Sequence, residues 1–208
     1  MALRLLEKVE RRLGQKLGLK PERCSGPKCA AVRRAYPPGA HGKARRRAPS
    51  EYGELLREKQ KVRFLYGIDD TKMRAYIAKA AGRTGFFTAH LVRLLESRLD
   101  NVVFRLGFAA SRRAARHCVK YGHITVNGRK VTIPSYQVRR EDSIGIRGES
   151  RGSALFTDLD LRLKKYEPPL WLALDKGAKV GTVAGDPLPE GEGAPMADLI
   201  KIKEFYSR

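Results

Sequence analysis

The sequence predicts an α+β chain, helical through its first half, sheet-forming through its second, and preceded by an extended basic N-terminal arm. Three observations predict it. Between residues 51 and 107, apolar residues recur at helical spacing and glycines punctuate them. Past residue 121 the period changes to alternation, as in Ile124, Val126, Val131 and Ile133. Ahead of both, Pro21, Pro27, Pro37, Pro38, Gly39, Gly42 and Pro49 forbid long regular elements.

Leu6, Val9, Leu13 and Leu17 have near-helical spacing, so a short helix is expected over residues 3–13, ending at Gly14. The turn-rich stretch after it reads as extended, making residues 1–49 an arm. Ser50 is a good N-cap for a helix from about Glu51 to Tyr66, closed by Gly67. Leu55, Val62 and Tyr66 then face inward, and Arg57, Lys61 and Arg63 have room to face outward. Asp69 or Asp70 caps a second helix to about Ala81, with Met73, Tyr76, Ile77 and Ala80 inward. A third helix opens at Thr88, turns near Asp100 and stops at Gly107. Its core candidates are Leu91, Leu94, Leu95, Leu99, Val102, Val103 and Leu106. Later, Ile144 and Ile146 alternate again, and "WLALDKGAKVGTV" predicts a hairpin turning at Lys176-Gly177. "GDPLPEGEGAP" is expected to be a loop, and "LIKIKEFYSR" a final strand.

The net charge is +21 over 208 residues, which implies a polyanionic partner. Its placement says more than its sum. Residues 1–50 hold 14 Lys/Arg against 3 Asp/Glu, and residues 101–140 hold 9 against none. Two separate basic blocks suit a protein that grips a polyanion at two places. At 42% hydrophobic residues, the chain can still build a core. No apolar run approaches the roughly 18–20 residues a bilayer span needs, so no membrane partner is expected. "MALRLLEKVERRLG" carries Glu7 and Glu10 and lacks a leader pattern, and three cysteines do not make a disulfide framework. A cytoplasmic location with reduced thiols is the simplest expectation.

The second basic block contains "SRRAARHCVKYGHITVNGRKV". Ser111 is a strong N-cap candidate. In the helix that follows, Arg112, Arg113, Arg116, His117 and Lys120 make a broad cationic face, and Ala115, Cys118 and Val119 an apolar stripe. Gly122 can supply the left-handed cap, and Asn127-Gly128 is the favoured pair for a two-residue hairpin turn. That turn pairs Ile124 with Val131 and Thr125 with Lys130, leaving His123 and Lys130 beside the basic helix. Arginine forks match phosphate geometry bidentately, so the product is a phosphate-binding surface on a rigid scaffold.

"SRLDNVVFRLGFAASRRAARHCVKYGHITVNGRKV" resembles the small RNA-binding module named after ribosomal protein S-four. The pattern is carried by Arg98-Leu99-Asp100, Ser111-Arg112, Gly122 and Val126-Asn127-Gly128. RNA pseudouridine synthases and tyrosyl-tRNA synthetases share that module. "AYPPGAHG", "LREKQKVRFLYGI" and the terminal "EFYSR" resemble the bacterial small-subunit ribosomal protein S-four family itself, in the same order. The resemblance implies a mostly helical domain of residues 50–88, completed by 196–208, and an inserted RNA-binding domain of residues 89–195, with the αβ module at about 94–147 and an antiparallel sheet. It also implies a structural role, binding small-subunit ribosomal RNA at a multi-helix junction early in assembly. The neighbours it implies are ribosomal protein S-five and, on the entry side, messenger RNA.

Two other classes of protein share some of these features. An RNA-modifying enzyme carrying the same module would need a catalytic constellation, and no phosphate loop, dinucleotide fingerprint or Gly-x-Ser-x-Gly occurs. A helix-turn-helix DNA-binding regulator over residues 89–120 would fit loosely, but the cationic helix runs straight into a hairpin. Some family members bind zinc through two cysteine pairs. Here "CSGPKC" supplies one pair, Cys24 and Cys29, and residues 1–23 offer no Cys or His, so no metal or other cofactor is expected. The RNA-binding candidates are Arg112, Arg113, Arg116 and Lys120, then Lys43, Arg45, Arg46 and Arg47 of the arm, then Arg57, Lys61 and Arg63, with His123 and Lys130 beside the helix. Tyr36 and Tyr52 are candidates either for stacking on a base or for packing.

Overall fold

The computed structural model describes residues 6–45, 47–188 and 197–207. The chain divides into two compact units, one of residues 1–77 with 195–208 and one of residues 78–194. The division falls within a helix, after Ile77.

In the first unit, α1 (Leu6–Leu13) is followed by two one-turn helices, α2 (Pro21–Cys24) and α3 (Ala30–Arg33). Then come α4 (Glu51–Tyr66) and α5 (Asp70–Ala81), and the unit is completed by α10 (Leu199–Ser207). Ser50 caps α4 through its hydroxyl, which accepts from Gly53 N, and Gly67 ends it in the left-handed conformation. Leu55, Val62, Tyr66, Met73 and Ile77 are buried as expected.

Two expectations fail here. The last segment is a helix, not a strand. "LIKIK" alternates, but Leu199 and Ile202 lie three apart and are the buried pair on the side of α10 that packs along α4. Asp198 caps it, accepting from the backbone N–H of Ile200 and Lys201. The extended arm is also replaced by a folded piece. Val9, Leu13 and Leu17 form a small core with Leu19, Phe64 and Leu65, which ties α1 to α4. Glu10, 1% exposed, accepts from the backbone N–H of Leu17 (3.1 Å) and Leu19 (3.0 Å) and from the thiol of Cys24 (3.7 Å). Its neighbour Arg11 donates to the carbonyls of Arg34, Tyr36 and Pro37. One side chain thus collects orphan donors and the next collects orphan acceptors. A Pro/Gly-rich stretch folds with only two one-turn helices because side chains do what a ladder would otherwise do.

The end of α10 is fixed by a buried cation. Lys59, 7% exposed, pairs with Asp70 and lies over the rings of Phe205 (4.6 Å) and Tyr206 (5.1 Å). The Tyr206 hydroxyl donates to Asp70 (2.9 Å). The hydrogen bond from Lys59 lowers the Asp70 pKa, while burial and then the Asp70 hydrogen bond raise that of Tyr206. A lowered carboxylate stabilises above its unfolded value of about 4 and ceases to as pH falls through its folded value. A raised phenol stabilises fully below about pH 10 and loses that contribution as pH climbs past it. Tyr206→Phe is therefore expected to flatten the alkaline limb of melting temperature against pH, leaving the limb between pH 6 and 9 parallel to the parent. An unchanged alkaline limb would remove Tyr206 from this account.

The second unit begins with the end of α5 and continues with α6 (Phe87–Glu96), α7 (Leu99–Arg105) and α8 (Arg112–Lys120). Strands β1 (Ile124–Val126), β2 (Arg129–Lys130) and β3 (Ser143–Ile146) follow, then α9 (Leu159–Lys164), β4 (Leu172–Asp175) and β5 (Val180–Val183). All pairings are antiparallel, in the order β2-β1-β3-β5-β4. The fold is thus α+β, as the sequence predicts. The third predicted helix is two, broken at Ser97-Arg98, and every core candidate named on it is buried. The second hairpin has a four-residue turn, because Asp175 pairs with Val180. Strand β2 stops at Lys130, so Ile133 is not a strand residue and is 59% exposed. Of the predicted loop at 185–195, residues 189–195 lie outside the described residues.

A hydrophobic core joins α7 and α8 to the sheet. Leu99, Val102 and Val103 of α7, Leu106 at its C-terminal cap, and Ala115, Cys118 and Val119 of α8 pack on Ile124, Val126, Ile144, Ile146, Leu172 and Val183 from the sheet. Gly181 makes the approach of α7 feasible: a Cβ there would lie 2.3 Å from a methyl of Leu106.

Candidate nucleic-acid interface

Helix α8 forms where the sequence places it. The Ser111 hydroxyl accepts from Ala114 N, and Ala115, Cys118 and Val119 are its buried residues. Burial raises the Cys118 pKa, consistent with a core thiol. Asn127 (φ 50°) and Gly128 (φ 76°) make the tight turn, pairing Thr125 with Lys130 and Val126 with Arg129. Asn127 also ties β1 to β3: its side chain accepts from Ser143 N and donates to Asp142 (each 2.8 Å). The helix and hairpin therefore share a rigid apolar back.

On the outer side of α8, Arg113 and Lys120 are exposed, while Arg112 and Arg116 are half-buried. Arg112 and Arg113 occupy the first turn, where the helix dipole is positive, which costs about 0.3–1 kcal/mol per cation. Cations placed against the dipole are better explained by a ligand than by helix stability. The nearby carboxylates are consumed internally. Asp100 is paired with Arg98 through two contacts of 3.0 and 2.6 Å, and Glu96 with Arg105 through two of 2.9 and 3.0 Å. Lys130 is exposed, and its chain lies across Gly122. His123 is turned to structure, with its Nδ1 2.9 Å from the Ser150 hydroxyl and its ring edge-on to Phe156.

The other candidates divide. Lys43 is exposed and lies 5.4 Å from the centre of the Tyr36 ring, with Arg11 5.0 Å from the same centre, so Tyr36 lies against two cations. Arg45 and Arg47 are exposed, and Arg46 lies outside the described residues. Arg57 is exposed. Lys61 is paired with Glu58 at 2.6 Å, its side chain 15% exposed. Arg63 is half-buried, donating to Gln60 and lying over Phe64. Tyr52 packs on Phe205.

Sequence reasoning missed a cleft of about 290 Å³ in the first unit, lined by Lys8, Arg11, Arg23, Lys28, Arg33 and Arg34 with Glu7. The charge excess of this block was visible, but convergence of these six on one cleft requires the folded arm. Arg129, Arg139 and Arg140 are exposed on or near the hairpin and add to the cations expected from the sequence. Cys24 and Cys29 are buried free thiols. Burial, opposed by a backbone hydrogen bond at Lys20 and reinforced by the Glu10 charge, pushes the Cys24 thiol up to about 11. Among the described residues, no group of three or more His, Cys, Asp or Glu side chains is placed to hold a metal ion. Nor, among them, is any helix long and apolar enough to cross a membrane.

An acid-free cationic helix, a tight hairpin and a shared apolar back define a class, the RNA-binding S4 domain. The family model of that description matches residues 97–144, and the one described as the ribosomal protein S4/S9 N-terminal domain matches residues 6–96. The chain is 48% identical to the small ribosomal subunit protein uS4 of Desulfitobacterium hafniense and to that of Thermus thermophilus, in each case over 95% of this chain and 94% of the relative. The uS4 protein of Syntrophomonas wolfei matches equally, at 48% over the same shares. The chain belongs to the uS4 family of ribosomal proteins, a structural and non-enzymatic family.

Proposed function

We propose that this protein binds small-subunit ribosomal RNA where several helices converge, early in assembly of the subunit. The observation that carries the reading is the outer face of α8, with four cations at Arg112, Arg113, Arg116 and Lys120 and no acid in residues 101–140. Such a face neutralises phosphates that would otherwise repel one another at a junction. Recognition through backbone and shape needs Lys and Arg rather than base-reading groups. The exposed cations Lys43, Arg45, Arg47 and Arg57, and the basic cleft, supply a second contact region on the first unit. Lys61, Arg63 and His123 contribute less, because each is already engaged within the protein. By the family resemblance, ribosomal protein S-five is a neighbour, messenger RNA passes on the entry side, and the location is the cytoplasmic ribosome.

Competition at fixed salt tests the reading. A transcript of the multi-helix junction is expected to displace labelled RNA, and a duplex DNA with the same number of phosphates is not. Equal competition would reduce the protein to a non-specific polyanion binder. Footprinting on full-length small-subunit RNA then locates the junction, and protection spread evenly along the RNA would refute a junction site.

A further inference from the structure

Arg112 of α8 is held from behind. Its Nε–H donates to Oδ1 of Asn101 at 2.7 Å, and its guanidinium lies 4.5 Å from the centre of the Phe104 ring. Asn101 is 2% exposed, and its amide has one orientation that satisfies its surroundings. Its Nδ2 donates to the Glu96 carboxylate (2.7 Å) and to the Glu96 carbonyl (3.0 Å). Two acceptors on that side force the amide nitrogen towards Glu96, and therefore the amide oxygen towards Arg112. Glu96 is itself fixed by two contacts from Arg105. The chain Arg105–Glu96–Asn101–Arg112 ends at a guanidinium of the α8 face that stacks on an aromatic ring.

We infer that Asn101 and Phe104 are positioning residues that aim Arg112 at an RNA phosphate. This rests on the RNA-binding reading of α8. A guanidinium has five donors in a plane, and its value at a phosphate depends on how that plane is turned. Asn101 engages the Nε edge and Phe104 one face, which together fix the plane before RNA arrives. A long side chain otherwise loses rotamer freedom on binding, so an aimed Arg112 binds more tightly with no added charge.

The test is a set of cycles in the full chain, read as affinity for the junction transcript, with thermal unfolding in parallel. Asn101→Ala is expected to weaken binding about threefold to tenfold. In an Arg112→Ala background it should cause no further loss, whereas with Arg113→Ala the two factors should multiply. Arg112→Lys keeps the charge but loses the fork, so affinity should fall while the salt slope stays at the parent value. If Asn101→Ala does not fold, Phe104→Leu carries the same cycle. Should Asn101→Ala keep its full effect without Arg112, or have none with it, the positioning role is overturned while Arg112→Ala still reports on the interface. Should Arg112→Ala itself leave affinity and slope unchanged, the reading of α8 falls at this residue and the inference falls with it.

Discussion

Replacing Arg112, Arg113, Arg116 and Lys120 together by glutamine is expected to lower affinity for the junction RNA by about a hundredfold or more, and to reduce the salt slope by about three. Each phosphate contact contributes a little under one unit to that slope, so the change counts contacts directly. Stability should fall only slightly: all four side chains lie outside the buried stripe of Ala115, Cys118 and Val119 and two cations leave the positive end of the helix dipole, against the hydrogen bond from Arg112 that Asn101 loses. Equilibrium binding between about 50 and 200 mM salt is the measurement. An unchanged slope in a folded variant would make α8 a solvated face.

Arg98→Ala should cost about 3–5 kcal/mol of unfolding free energy. Arg98 is 1% exposed, and Asp100 is 4% exposed. Removing the guanidinium leaves a carboxylate in a low-dielectric interior with its partner gone. The site is also structurally connected. Leu99 N and Asp100 N donate to the carbonyls of Tyr136 and Pro134, and Val138 N to that of Ser97, so α7 is laced at its start to the segment before β3. Replacing both charges, as Arg98→Met with Asp100→Leu, should cost less than the single change, because no uncompensated charge remains. Urea unfolding distinguishes them. A single-variant loss below about 1 kcal/mol would show that the pair is not needed for stability.

The parts of the fold legible in the sequence are those specified locally. Ser50 and Ser111 each announce a helix three residues ahead of the N–H they cap, and Asn127-Gly128 announces a turn by its own backbone preference. What was missed depends on distant partners. Glu10 serves N–H groups seven and nine residues away, and Arg11 serves carbonyls as far as 26 residues away, with no periodicity to betray either. "LIKIK" carries a two-residue and a three-residue period at once, and only the surface of α4 selects between them. At the site, the block charge and α8 were readable. The engagement of Arg112 by Asn101 crosses from one helix to the next and was not. The Glu58–Lys61 pair sits at i and i+3, a spacing legible in the sequence, and it holds Lys61 against the protein instead of outward.

The first unit is split in the chain, with residues 195–208 closing what residues 1–77 begin, and the whole second unit is synthesised between them. A ribosome delivers the N-terminus first, at about 5–20 residues per second. The apolar side of α4 that receives Leu199 and Ile202 must therefore wait, uncovered, while 117 residues of the second unit are made. The second unit is contiguous and can reach its native state during that interval. Lys59, Phe205 and Tyr206 then act as a latch that engages only when translation has passed the last turn of α10. A polypeptide abandoned before that turn would carry a completed S4 domain and an unsealed helical platform, which is the kind of exposed apolar surface that quality-control chaperones and proteases recognise.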